Sequence, residues 1–285
     1  MIHSMTGYGK TVLQLPTKKI SIEIKSLNSK NLDLNARMPS AYREKELELR
    51  KMIAQKLERG KIDFSIYVEL TGETTSTTVN LPVVKEYIHQ LREVVNGDET
   101  ELLKMAVRFP DALNTERDEM DEQEWKTILK GTQEALKAIA TYRLDEGKAL
   151  EADFKQRIAN IDQLLTEVID MDPERIEGVR ERLRKGIADI KEKVDENRFE
   201  QELVYYIEKF DINEEKVRLK NHLDYFVNSL NSQDSNGKKL GFIAQEIGRE
   251  INTIGSKSNY APMQKLVVQM KDELEKIKEQ LLNVL

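Results

Sequence analysis

Helical spacing across residues 238–257, KKLGFIAQEIGREINTIGSK, gathers two carboxylates and two cations onto one face. With residue 246 at zero and about 100° per residue, Glu246, Arg249, Glu250, Thr253 and Lys257 fall within about 60° of zero. Leu240, Ile243, Ile247, Ile251 and Ile254 form an adjoining apolar stripe between about 60° and 140°. Two carboxylates one turn apart offer oxygen ligands to a hard divalent cation. Arginine and lysine beside them suit phosphate, the first as a bidentate fork and the second as a point charge. The other reading is a salt-bridged surface, with Arg249 offsetting the repulsion between Glu246 and Glu250. Asn252, Thr253 and Ser256 are indifferent helix formers, and Gly248 and Gly255 are poorer still. Polar groups placed against helix propensity point to contacts with something else.

A second constellation lies near residues 212–230. Glu214 or Glu215, Arg218 and His222 share a helical face. Histidine titrates near neutral pH and is suited to general acid or base work; an ordinary surface or core histidine is the alternative. SMTGYG (4–9) pairs hydroxyls with two glycines. It reads either as a structural strand edge or as a contact to nucleic-acid backbone and bases. No P-loop, dinucleotide fingerprint, HExxH or nucleophile elbow occurs.

These faces need helices to carry them. KISIEIKSL (19–27), NLDLNARM (31–38) and KIDFSIYVEL (61–70) alternate apolar and polar residues, as half-buried strands do. Residues 41–59 between the last two have helical spacing, and TGETTSTTVN (71–80) reads as a polar linker. Pro82 opens a helix to about residue 95, a shorter one covers 99–108, and a long one runs from about 121 to 170. DMDP (170–173) is expected to break it, with Ile176, Val179, Leu183, Ile187, Ile190 and Val194 starting an antiparallel partner. Asp211 and Glu214 resemble a capping box. The last helix, 263–285, buries Leu266, Met270, Leu274, Ile277 and Leu281.

The fold class expected is thus α+β: an N-terminal antiparallel sheet with a helix, a long helical hairpin and a C-terminal helical domain. The boundaries fall at 1–120 (its character extending to about 155), 121–197 and 198–285. The chain has 285 residues, 39% of them apolar and 34% charged, which suits long solvated helices. It contains no cysteine, which excludes disulfides, thiol catalysis and thiolate metal sites. No apolar run approaches membrane-spanning length, and no secretory pattern opens the chain, so a cytoplasmic location is expected. The formal charge of −6 is uneven. Residues 1–71 hold 13 Lys and Arg against 8 Asp and Glu (+5), leaving 32 against 43 (−11) of the totals 45 and 51. A basic N-terminal part on an acidic chain is compatible with a polyanion ligand.

Seven stretches in order resemble the YicC/YloC family of bacterial endoribonucleases: SMTGYG (4–9), EIKSLNSKNLDL (23–34), RGKID (59–63), RLDEGKAL (143–150), FDINEEKVRLKNHLDYF (210–226), GKKLGFIAQEIGREINTIGSKS (237–258) and MKDELEKIKEQLLNV (270–284). The resemblance spans nearly the whole chain. It implies single-stranded RNA cleavage in RNA turnover by a metal-assisted, cytoplasmic homo-oligomer, a ring-like hexamer. DNA and membranes are not expected partners. Mg²⁺ or Mn²⁺ would sit on Glu246 and Glu250 with Glu214 or Glu215. Arg218, Arg249 and Lys257 would stabilise developing charge, and His222 would move a proton. Lys25, Asn28, Lys30, Arg59, Arg143, Asn252, Ser256 and Lys257 would contact RNA. The family commonly has Arg where Lys30 stands and Asp where Gly241 stands. A non-catalytic adaptor presenting RNA to a separate nuclease would use the same basic and polar residues.

Overall fold

The computed structural model describes residues 2–71, 77–115, 121–189, 196–232 and 237–285. Two compact units interleave in sequence, one of residues 8–25 and 31–139 and one of residues 1–7, 26–30 and 140–285. None of the described helices is long and apolar enough to cross a membrane.

The first unit is built on a sheet. Strands β1 (Gly7–Gln14), β2 (Lys18–Leu27), β3 (Leu32–Arg37) and β4 (Gly60–Leu70) stand in the order β1-β2-β4-β3. The alternation seen in sequence is the reason: Ile20, Ile22, Ile24, Ile62, Phe64 and Ile66 all point to one buried face. That face packs on Leu49 and Ile53 of α1 (Glu46–Lys56) and on Trp125, Ile128, Leu136 and Ile139 of α4 (Glu122–Asp189). The sheet is mixed, not antiparallel throughout. β3 and β4 run parallel, from Leu32 opposite Gly60 to Arg37 opposite Ser65. A parallel pair needs a crossover, and the 3-10 turn Ser40–Lys45 followed by α1 supplies it. A short two-stranded ribbon of β5 (Thr77–Val79) and β6 (Leu113–Thr115) accompanies α2 (Leu81–Val94) and α3 (Glu99–Ala106), around Val84, Ala106 and Ala112.

The second unit is helical. It contains α4 from residue 140, then α5 (Glu196–Lys209), α6 (Asn213–Asn231), α7 (Gly237–Lys257) and α8 (Ala261–Leu281). Phe154, Ile158, Ile161, Leu165 and Val168 of α4 meet Leu219, Leu223 and Phe226 of α6 and the apolar stripes of α7 and α8 in one core. All five predicted stripe residues of the last helix are buried.

The expected break at DMDP is absent: α4 continues through it as one 68-residue helix. Pro173 and Ile169 are both exposed, so the helical hydrogen bond that proline removes is lost on the solvated side, where the loss is cheapest. The flanking Asp172 and Arg175 are buried and ion-paired at 2.7 Å, which holds the next turn in place. Ile190 and Val194, and the side chain of Ile187, lie outside the described residues.

The N-terminal segment is threaded between α4 and the C-terminal residues. The Met5 N–H donates to the Asn283 carbonyl at 2.7 Å, the Leu285 N–H to His3 at 2.9 Å, and the Ser4 N–H to Arg143 at 3.0 Å. Ile2 enters the helical core. Gly147 makes this possible, because a Cβ there would stand 2.0 Å from the Ile2 carbonyl oxygen. Backbone, not a pliable side chain, would have to move. Gly147→Ala should therefore cost about 2–3 kcal/mol or more in urea unfolding, as overpacked sites do. Gly178→Ala, in the same helix with open space around it, should instead stabilise by about 0.5–1 kcal/mol.

Candidate functional site

α7 buries Leu240, Ile243, Ile247, Ile251 and Ile254 as its spacing requires. Its neighbours then divide the polar stripe, which in sequence read as one surface. On the α8 side, Gln245, Arg249, Asn252, Thr253 and Ser256 line an open groove of about 530 Å³, with Gly248 and Lys278 of α8. Gly248 lets α8 close in: a Cβ there would lie 3.1 Å from Leu274 Cδ2 and 3.6 Å from Lys278 Nζ. Arg249 is 73% exposed and pairs with Glu246 at 3.2 Å. Lys278 pairs with Glu275 at 2.8 Å. Both partners sit one turn away on the cation's own helix, and such pairs contribute about 0.5 kcal/mol, little enough to yield to a phosphate. The hydroxyl of Thr253 donates to the Arg249 carbonyl at 3.0 Å and that of Ser256 to the Thr253 carbonyl at 2.9 Å. Their protons are used within the helix, and their oxygens remain acceptors.

On the α6 side the polar residues go inward. Lys257 donates to Glu215 Oε1 at 2.7 Å and to the Asp211 carbonyl at 2.9 Å. Glu215 is only 6% exposed, and its Oε2 is buried without a hydrogen-bond partner. Beside it on α6, Lys216 reaches Asp172 Oδ2 of α4 at 2.7 Å, and the Arg175 guanidinium extends to the Lys257 carbonyl at 3.5 Å. These buried charges join α4, α6 and the end of α7. Sequence reasoning missed Asp172, Arg175 and Lys216, because the DMDP stretch read as a breaker. The signal that could have found Asp172 and Arg175 is their i,i+3 spacing beside the apolar stripe of α4.

Glu250 is likewise buried, 5% exposed. Seven residues separate it from Lys257, and seven separate His222 from Glu215. From the Lys257–Glu215 contact, about 10 Å along each antiparallel helix brings Glu250 and the half-buried His222 to one level. Arg218 and Glu214 form an exposed ion pair on α6. Glu214 does not reach back to complete a capping box. Asp211 instead accepts from the Asn213 N–H at 3.0 Å.

The four glutamates expected to chelate a metal are engaged separately: Glu246 with Arg249, Glu214 with Arg218, Glu215 with Lys257, and Glu250 buried. Among the described residues no three His, Asp or Glu side chains come together as a cation site. Within one chain the described carboxylates thus form no ready-made cation site. Gly241 has open space around it, so packing does not demand glycine there.

Of the expected RNA contacts, Asn252 and Ser256 lie in the groove, whereas Lys257 is turned to Glu215. Arg143 is a correction. It is 4% exposed, donates to the Met5 carbonyl at 3.0 Å and to Ser26 Oγ at 2.6 Å, and ties the N-terminal segment to α4. Burial without a carboxylate holds its pKa below the ordinary arginine value. SMTGYG is likewise engaged internally: Thr6 donates to Glu146 at 2.6 Å, and Ser26 to the Met5 carbonyl at 2.8 Å. Lys25 is exposed at the sheet, 5.7 Å from the Tyr8 ring centre. Asn28 and Lys30 are exposed and Arg59 is half-buried. Nearby, the hydrogen bond from Lys10 holds the Glu23 carboxyl below its usual range.

Removing the cation from the α6–α7 seam tests the buried pair. Lys257→Met should cost about 1–3 kcal/mol in urea unfolding by leaving the buried Glu215 without its cation. Adding Glu215→Gln should recover much of that loss, a coupling that a double-mutant cycle reads directly.

Residues 2–152 match the family described as "Endoribonuclease YicC-like, N-terminal region", and residues 168–285 match "Endoribonuclease YicC-like, C-terminal". Over 293 residues the chain is 33% identical to "Probable endoribonuclease YicC" of Clostridioides difficile (strain 630), with 100% of both chains covered. It is 29% identical over 287 residues to the protein of the same name from Haemophilus influenzae (strain ATCC 51907 / DSM 11121 / KW20 / Rd), again with 100% of both covered. Two family matches that together take in nearly every residue, and relatives aligned end to end, place this chain in the YicC-like endoribonuclease family.

Proposed function

We propose that this chain is an endoribonuclease that cleaves single-stranded RNA in the cytoplasm, in RNA turnover. The observation that carries the reading is the α7–α8 groove, where Arg249 stands among hydrogen-bonding side chains on one exposed face. Membership of a family whose relatives are named endoribonucleases supports the reaction type. An open groove accepts an extended strand. Arg249 would stabilise charge developing on the phosphoryl oxygens, with Arg218 exposed on the neighbouring helix. His222, level with the buried Glu250, would move the proton. Lys25, Asn28, Lys30 and Arg59 would guide the strand through phosphate contacts.

A divalent cation, Mg²⁺ or Mn²⁺, would be required for cleavage. The homo-oligomer, a hexamer in this proposal, would let several chains hold one RNA.

The test is internal cleavage of end-labelled single-stranded RNA by the purified chain, with and without EDTA. New internal products are expected. Arg249→Ala and His222→Ala should each slow their formation by about 10²-fold. Products that persist in EDTA would remove the metal from the proposal. RNA that is retarded on a gel but returned intact would replace the enzyme with the adaptor.

A further inference from the structure

The groove contains a cation that neither the polar stripe of α7 nor the helix pattern of α8 singled out. We infer that Lys278 is the phosphate-seating residue of a ribonucleotide subsite over Gly248, with Thr253 and Ser256 selecting RNA over DNA. This rests on the reading of the chain as an RNA-cleaving enzyme and names what that site takes.

Three observations carry it. First, Lys278 Nζ lies only 3.6 Å from the Cβ position that Gly248 leaves empty. The ammonium stands over bare helix backbone, next in sequence to Arg249. Two cations from two helices thus line one groove. Second, each cation is held by one carboxylate of its own helix, Glu275 or Glu246, in a solvated pair. An incoming phosphate competes with these pairs and need not break a buried one. Third, the groove is chemically graded. The Thr253 and Ser256 hydroxyls donate to helix carbonyls, which leaves their oxygens as acceptors toward the groove. A ribose 2′-OH donates where deoxyribose has nothing to give. The carboxamides of Gln245 and Asn252 add donors and acceptors suited to a base edge.

An acidic peptide would satisfy the cations but would leave the acceptors at Thr253 and Ser256 facing its carboxylates. The acceptors therefore favour a nucleotide.

The experiment measures binding of fluorescein-labelled oligo(U) RNA and the matching oligo(dU) DNA by anisotropy. It is run at 4 °C in the buffer that supports cleavage and read before measurable cleavage. Lys278→Gln should weaken binding of both strands about tenfold and lower the salt slope by about one. Lys278→Arg should retain binding, and Lys271→Gln, on the same helix outside the groove, should change nothing. Thr253→Val with Ser256→Ala should bring the RNA and DNA affinities together. The subsite is overturned if Lys278→Gln binds like the wild type, if Lys271→Gln loses as much, or if polyglutamate displaces RNA at equal charge. Binding that depends on Lys278 without any cleavage would leave the subsite standing and remove the enzyme. A wild type that binds no RNA removes both.

Discussion

Lys257 carries a charge into the seam between α6 and α7, and much of the helical unit is arranged around neutralising it. Its half-buried ammonium meets a carboxylate that is itself buried and needs a cation. Glu215 and the Asp211 carbonyl accept from Lys257 at 2.7 and 2.9 Å. Neither partner is free to slide, so the contact sets the register of two antiparallel helices. That register carries Glu250 to the level of His222. It also turns the opposite edge of α7, from Gln245 to Ser256, toward α8 and solvent. The same cluster reaches α4 through Lys216, Asp172 and Arg175. One set of largely buried charges thereby specifies how three helices meet, while the cations of α7 and α8 stay exposed.

The second constraint lies at the chain ends. Residues 2–6 have no element of their own, and their backbone groups must be satisfied where they are buried. Asn283, Leu285, Arg143 and Ser26 do this, and Gly147 provides the room. Arg143 is costly in this position, since its guanidinium is desolvated and its Nε has no hydrogen-bond partner. Its return is a fixed path for the segment that leads into β1. The Ser4 and Thr6 hydroxyls of SMTGYG are taken up in this packing, with each other and with Glu146.

The groove and the seam show how one helix serves two purposes. Its polar face spans some 16 Å, from Gln245 to Ser256. Neighbours on either side decide whether each residue is a buried partner or an exposed one. Glu250 and Arg249 are adjacent in sequence, yet one is almost fully buried and the other largely open. The difference lies in which helix each meets. Helical projection can group residues by angle, but it does not say what stands opposite each angle.

Much of the architecture was legible by itself. Period-2 alternation placed β2, β3 and β4, and the 3.6 period placed α7 and α8 with their buried stripes, because burial of one face is a local property of each element. Family membership was legible too, in seven motifs in order. What lay beyond local pattern was everything that depends on a distant partner. β3 and β4 are parallel because α1 returns the chain to the same end. Pro173 did not end α4, because its ring points to water while Asp172 and Arg175 are held from α6 and α7. Arg143 is internal because the N-terminal segment is laid against it, and Lys278 joins the groove only because α8 packs over Gly248. The sequence by itself determined which faces must be buried and which residues carry charge. Only the tertiary structure decided which charges neutralise one another and which stay exposed, because electrostatic partnership depends on distance and desolvation between segments remote along the chain.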